Sequence, residues 1–274
     1  MKEPPARNPF LAKKALPAKN VSLSPKPQKA LGQWPRPALI EENKFSFKSL
    51  SNWAYNISMG CVHACPFCYV PGKVANRLEK NMEGHMGEAI PQEWRKDGGH
   101  WADSQWGNYA FIRSWDEKAF RSSLKKAMAQ AKATDKRAVP KDQRLPKDGN
   151  RAIIFCSTTD PYQTLIIPGD PKKQKLLNDL RRNLVRNALQ IILEESNLNV
   201  RILTRSPLAS DDFDLYEKFG NRLAFGMSFP TADEALSSIY EPRSPGPTLK
   251  LATLRKAVER GLHVYVALAP TMPE

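Results

Sequence analysis

The decapeptide Gly60–Tyr69, GCVHACPFCY, gathers three of the chain's four cysteines, Cys61, Cys65 and Cys68, into a C-x3-C-x2-C spacing. Cys156, the fourth, follows 88 residues later. Thiolates are soft ligands that select zinc, copper(I) or iron–sulfur clusters. A structural zinc ion wants four protein ligands, usually delivered as two CxxC-type pairs, and no second pair exists here. His63 can supply a fourth ligand, although it sits between two of the cysteines on one tight loop. A 4Fe–4S cluster fits the spacing differently. One short loop reaches three irons, and the fourth stays open to a small chelating molecule.

The elements that must position these thiols are legible as alternating apolar runs and helical repeats. Ser51–Ser58 reads as a first strand leading straight into the cysteines, and Trp106–Ile112 as a short strand. Residues 72–108 read as an irregular, Gly- and Trp-containing insertion. Asp116–Lys132 has Phe120, Leu124 and Met128 at helical spacing. Lys136–Asn150 is charged and turn-rich, a surface loop. The rhythm then becomes regular, with strands expected at Ala152–Cys156, Val200–Thr204, Leu223–Ser228 and Val264–Leu268. Helices are expected between them at Lys175–Glu195, Asp212–Phe219 and Thr248–Arg260, the first with Leu176, Leu180, Leu184, Leu189 and Leu193 inward. Apolar strands alternating with helices imply parallel βαβ units, hence an α/β fold with a partial parallel (β/α) barrel. Glu274 follows soon after the fifth strand, so the expectation is an incomplete barrel or a chain truncated at its C-terminal end.

A parallel barrel presents functional residues at the carboxyl ends of its strands. Thr159 and Asp160 fall after the second strand, Arg205 and Ser206 after the third, and Ser228 at the end of the fourth. The alternative is structural: Asp160-Pro161 makes a turn and Ser228 caps a backbone. Arg243 is either a ligand for a bound molecule or a brace paired with Glu241, and Asp160, Glu241 and Arg243 can equally form one ion-pair network. Cys156 lies at the mouth, either as a small buried hydrophobe or as a reactive thiol. The tryptophans can stack on bases or pack in a core.

Composition bounds the rest. A chain of 274 residues, 41% of them hydrophobic, can bury one large core. Residues 1–44 are basic and Pro-rich and are expected to be a disordered tail, with the ordered domain at 45–274. No run approaches the roughly 20 apolar residues that span a bilayer, and the start has no apolar signal region. Three clustered cysteines in such a chain favour metal over disulfides. A soluble cytoplasmic monomer without membrane contact is expected. The net charge of +14 is concentrated in residues 1–48, with ten Lys/Arg against three Glu, and 118–151, with eleven Lys/Arg against three Asp. Such patches attract phosphate backbones or are simply solvated faces.

The cysteine spacing, with Phe67 just before the last cysteine, resembles the signature of the radical S-adenosylmethionine (SAM) enzymes, and GCVHACPFCY is similar to the G-C-x-H-x-C-x-Y-C-Y form of the spore photoproduct lyase-like branch. STTDPYQ (157–163), LTRSPL (203–208), EPRSPGP (241–247) and LAPTMP (268–273) resemble further segments of that branch, with Arg205 where it has Lys. The likeness runs from about Trp53 to the C-terminus and leaves out residues 1–44. It implies a 4Fe–4S cluster on Cys61, Cys65 and Cys68, with SAM chelating the open iron and Phe67 near its adenine. One electron, from a reductant such as flavodoxin or ferredoxin, then cleaves a C–S bond of SAM, usually to a 5′-deoxyadenosyl radical. Carried over, Thr159 and Asp160 belong to the segment that meets the SAM amino group, Asp160 foremost. Arg205 and Ser228 face its carboxylate, and Arg243 is a further SAM or substrate ligand. Cys156 stands near a cysteine that donates a hydrogen atom in the photoproduct lyases, offset by about one residue. Within the branch, DNA photoproduct repair, aminocarboxypropyl transfer and modification of another substrate, nucleic acid included, all stay open. From a different class, a zinc-stabilised nucleic-acid-binding protein with a Cys3His site also stays open.

Overall fold

The computed structural model describes residues 28–43, 51–96, 99–129 and 152–270. Its strands are β1 (Ala30–Pro37), β2 (Ile40–Glu42), β3 (Trp53–Tyr55), β4 (Ser58–Met59), β5 (Tyr109–Ser114), β6 (Ala152–Phe155), β7 (Asn199–Thr204), β8 (Leu223–Ser228) and β9 (His263–Ala267). Its α-helices are α1 (Tyr69–Met86), α2 (Trp101–Ser104), α3 (Glu117–Ala129), α4 (Pro171–Glu195), α5 (Phe213–Phe219), α6 (Glu234–Tyr240) and α7 (Pro247–Glu259).

Two sheets form. The larger has the order β2-β3-β6-β7-β8-β9; its last five strands run parallel, and β2 pairs antiparallel with β3. The smaller has the order β1-β5-β4, with β1 parallel and β4 antiparallel to β5. Strands of one direction need crossover helices; α4 fills that role between β6 and β7, and α5 between β7 and β8. The result is a mixed α/β fold around a parallel sheet, open among the described residues, with β2 and β9 at its edges.

The β-branched and aromatic runs of β6, β7 and β8 bury Ile153, Phe155, Val200, Ile202 and Phe225 against Leu184, Val185, Ala188, Leu189 and Ile192 of α4. Asp170 caps α4 by accepting from Lys173 N at 2.9 Å, and Pro171 occupies the first turn, where its missing N–H is not needed. A second, smaller core lies under α1, where Trp34, Met82, Trp94, Trp101, Tyr109 and Phe111 are all at most 5% exposed.

Several expectations are corrected here. The 1–44 segment is not wholly tail: β1 and β2 lie inside it, because β5 offers β1 a parallel partner and Trp34 a core to enter. Residues 1–27 and the loop at 136–150 lie outside the described residues. The start of the 72–108 segment is helix α1, whose Ala75, Leu78 and Met82 form one buried stripe. Of the five leucines expected inward on α4, Leu184 and Leu189 are buried and Leu180 and Leu193 pack against the core, but Leu176 is 62% exposed and Leu177 takes its place. The strand expected at Trp106–Ile112 begins three residues later, after the turn at Gly107. The tryptophans at 34, 94 and 101 are core residues.

Candidate active site

The cysteine loop leaves β4 and enters α1, and its path is folded back by two residues of positive φ, Gly60 at +85° and Ala64 at +56°. Cys68 N donates to Cys65 O at 3.0 Å and closes the turn. Three neighbours hold the loop in place. Gln163, fully buried, accepts from Val62 N at 2.9 Å and donates to Ser58 Oγ at 2.9 Å. Gly107, at φ +93°, lies against Ala64 so closely that an added Cβ would stand 2.4 Å from the alanine methyl. Arg243 ties both sides: its guanidinium donates to Gly107 O and to Asn108 Oδ1, and its carbonyl lies 3.3 Å from His63 Nδ1.

The carboxyl ends of β6, β7 and β8 face this loop across a cavity of about 500 Å³. Cys61, Cys65, Phe67, Cys68, Cys156, Thr159, Asp160, Arg205 and Ser228 all line it, so the fold brings together every expected site residue except Arg243. Arg243 braces the loop from outside the lining, and its contacts are with the Gly107–Asn108 turn. Glu241 pairs elsewhere. Ser206 turns to cap the 3-10 turn Pro207–Asp212, accepting from Leu208 N.

Asp160 is 3% exposed and has its oxygens occupied by the protein. Oδ1 accepts from Thr204 Oγ1 at 2.7 Å and Tyr162 N at 2.8 Å; Oδ2 accepts from Arg205 N at 2.7 Å and lies 3.2 Å from His63 Nε2. A carboxylate has about four lone-pair sites, and four partners surround this one. Asp160 therefore acts as the knot joining the cysteine loop to β7 while also lining the cavity. Burial pushes its pKa up, but His63 and the hydrogen bonds pull harder, to about 2. The same geometry turns both ring nitrogens of His63 away from the thiols, Nδ1 toward Arg243 O at 3.3 Å and Nε2 toward Asp160 at 3.2 Å.

Arg205 is held at both ends. Its Nε donates to Glu241 Oε1 at 2.5 Å, while Glu241 Oε2 accepts from Lys250, a side chain 1% exposed. Among the described residues no partner meets either Arg205 Nη, and the guanidinium stands 5.9 Å over the Phe67 ring at the cavity. Burial would lower its pKa, but Cys65 and Glu241 outweigh that and raise it. Sequence reasoning missed two supports of this site. Gln163 was visible as the last letter of STTDPYQ; Lys250 carried no signal, since it is one of many lysines.

Burial keeps the thiols neutral. It raises Cys61 and Cys68, takes Cys65 to about 11 against the pull of Arg205, and takes Cys156 to about 12. Thiolates here thus need a cationic group to stabilise them. Among the described residues no three His, Cys, Asp or Glu side chains close on one point as ligands of a single ion do. The thiols share one wall of a wide cavity, which suits a group several ångströms across. Cys156 faces the same space with φ +59°, a conformation few non-glycine residues adopt, and its N donates to Tyr55 O at 2.9 Å.

No family model matches the chain. Over 247 residues it is 28% identical to uncharacterized protein ORF301 of Acidianus two-tailed virus, which covers 87% of this chain and 64% of that one. A 122-residue stretch is 31% identical to uncharacterized protein MJ0683 of Methanocaldococcus jannaschii, covering 44% of this chain and 41% of the other. The chain thus spans less than two thirds of either relative. Among solved structures it is similar to spore photoproduct lyase complexed with dinucleoside spore photoproduct, with a TM-score of 0.52, 14% identity, and coverage of 89% of this chain and 52% of the lyase. A point mutant of that lyase with the same dinucleoside gives a TM-score of 0.50 at 15% identity, covering 88% and 50%. The fold is shared with these structures. No described helix is long and apolar enough to cross a membrane.

Proposed function

We propose that this chain is a radical SAM enzyme of the spore photoproduct lyase-like kind, in which Cys61, Cys65 and Cys68 hold three irons of a 4Fe–4S cluster and SAM takes the fourth. The observation that carries the reading is the convergence of the three thiols, Phe67 and the free Nη groups of Arg205 on one cavity. Bound there, the cluster and SAM would supply one-electron cleavage of a carbon–sulfur bond, which would start radical chemistry on the substrate. A small reductant such as flavodoxin or ferredoxin delivers the electron.

The chain's own residues do the placing. Arg205 offers a planar two-donor fork suited to a carboxylate, and Glu241 fixes its direction. Ser228, 3% exposed on the same wall, adds a hydroxyl. Phe67 supplies an apolar face for a purine. Thr159 accepts from Ser58 Oγ at 3.1 Å, which joins the strand end to the cysteine loop. Cys156 is the hydrogen-atom donor in this reading. Its thiol faces the cavity and, with its pKa pushed to about 12, keeps its hydrogen at neutral pH.

The test is anaerobic reconstitution of the full chain, with iron counted and the SAM-derived product identified. About four irons per chain are expected, lost in Cys65→Ala and kept in Cys156→Ala. 5′-Deoxyadenosine as product places the enzyme with the hydrogen-abstracting members, and 5′-methylthioadenosine with the aminocarboxypropyl transferases. A colourless protein holding one zinc would sink the proposal.

A further inference from the structure

A second cavity, of about 470 Å³, lies on the other side of Ser157 and Thr158, which line both it and the cysteine cavity. Asn56 fixes that shared wall, accepting from Ser157 Oγ at 3.4 Å and Thr158 Oγ1 at 3.2 Å. Trp34, Arg36 and Leu39, from the segment that the family resemblance leaves out, build much of the far side. The cavity is therefore a feature of this chain's own N-terminal strands.

Its chemistry is set by Arg113, which projects from β5 into the lining. The Nε of Arg113 is buried with no hydrogen-bond partner. Its Nη1 reaches Pro37 O only at 3.4 Å, and its Nη2 reaches the Met59 sulfur at 3.5 Å. A half-buried guanidinium met by one long carbonyl contact and a thioether keeps donor capacity to spare. Arg36 and Arg77 stand exposed along the same cavity, and neither has an ion pair or hydrogen bond among the described residues. Glu41 and Glu42 share the lining, and the charge of Glu41 acts on Arg113 without a direct ion pair, so the three guanidinium groups still outnumber the carboxylates. Three guanidinium groups around one hollow suit a tetrahedral oxyanion, which accepts bidentate donation from several sides.

We infer that the second cavity is an anion subsite for a substrate carrying a phosphate group. Arg113 meets the phosphate at the base, Arg36 and Arg77 close on it at the mouth, and the carbon skeleton passes over Ser157 and Thr158 toward the cysteine cavity. Beyond Arg77 the exposed face of α1 continues with Lys73 and Lys80. The phosphate is thus either that of a small ester or one of several along a strand. The inference rests on the proposed radical chemistry only for what happens next door.

The full chain, as purified and without added iron or SAM, is titrated calorimetrically with inorganic phosphate, ribose 5-phosphate and a single-stranded oligonucleotide. Phosphate and ribose 5-phosphate should bind, with Kd about tenfold or more weaker in Arg113→Gln, the loss expected for a charged hydrogen-bonding partner. Arg36→Gln, a surface change that leaves the fold intact, should weaken binding several-fold, and it decides the matter if Arg113→Gln fails to fold. Oligonucleotide binding tighter than ribose 5-phosphate, and reduced by Lys80→Gln, identifies a strand as the source of the phosphate; equal or weaker binding identifies a small ester. Absence of phosphate binding at millimolar concentration, or affinities unchanged in both arginine variants, overturns the inference. Because no iron or SAM is present, failure here is separate from failure of cluster assembly.

Discussion

Glu241→Gln is the perturbation that most directly tests how the cavity is held. The side chain of Glu241 is fully buried and bridges two cations, Arg205 and Lys250. Glutamine keeps the shape but removes the charge, leaving Lys250 sealed beside Phe229, over whose ring its ammonium lies at 5.7 Å. Removing one partner of a buried ion pair costs about 3–5 kcal/mol. Arg205 keeps 22% of its side chain exposed and can lean into water, so the lower end, about 3 kcal/mol, is the expected loss. In a chain of this size that is a fall in Tm of roughly 6–12 °C. Denaturant unfolding of Glu241→Gln, Lys250→Met and the double variant completes a cycle. The double variant should recover more than half of the loss, because methionine removes the cation that glutamine alone leaves stranded. SAM affinity should stay low in both Glu241 variants, since Arg205 has lost its anchor. A single-variant cost below about 1 kcal/mol, or losses that simply add in the double variant, would refute the argument.

Gly107→Ala should displace the cysteine loop, because the backbone there has φ +93° and the new methyl meets Ala64. The backbone strain alone is about 1–3 kcal/mol; iron retention after reconstitution should collapse while circular dichroism stays native, and a variant that keeps its iron contradicts the docking described. Asp160→Asn removes a carboxylate whose pKa lies at about 2 against an ordinary 3.8, a difference of about 2 kcal/mol. A depressed folded pKa stabilises above pH 4 and loses that contribution as pH falls toward 2. The gap in stability between wild type and Asp160→Asn should therefore be full at pH 7 and narrow below pH 4, and a constant gap across that range argues against the charge. Trp34→Ala should cost about 3–5 kcal/mol in thermal or denaturant unfolding, whereas a residue in a solvated tail would cost nothing.

The parallel sheet was readable because AIIFC, VRILT, LAFGMS and VYVAL are short apolar or β-branched runs between helical repeats; their ends fall within about a residue of the observed strands. The cysteine spacing and the strand-end residues marked the cavity for the same reason, since a parallel sheet must present those ends together. What escaped depended on partners distant in sequence. β1 contains Pro35 and Pro37 in a Pro-rich stretch, and only pairing with β5, some 80 residues on, makes it a strand. Helix α1 was hidden by Pro71 and Gly72, which sit in its first turn, where proline is tolerated. On α4 only Leu176 was misplaced, because it stands in the exposed first turns, and the burial of Arg181, 5% exposed and donating to Pro161 O at 3.2 Å, was not visible in the leucine repeat. The contacts of Arg243 with Gly107 O and Asn108 Oδ1 were hidden because those partners lie some 135 residues earlier in the chain.

The supports of the cysteine loop also impose an order in time. Ribosomes make Cys61 through Cys68 early, yet Gly107, Asp160, Gln163 and Arg243 emerge later, the last of them 180 residues after His63. At roughly 5–20 residues per second that interval is about ten to forty seconds. Until it has passed, the three thiols belong to an undocked loop with no cavity above them and stay open to oxidation. Any metal group they hold gains its full surroundings only once β8 and Arg243 have been made, so the finished site waits on the last third of the chain rather than on synthesis of the ligands.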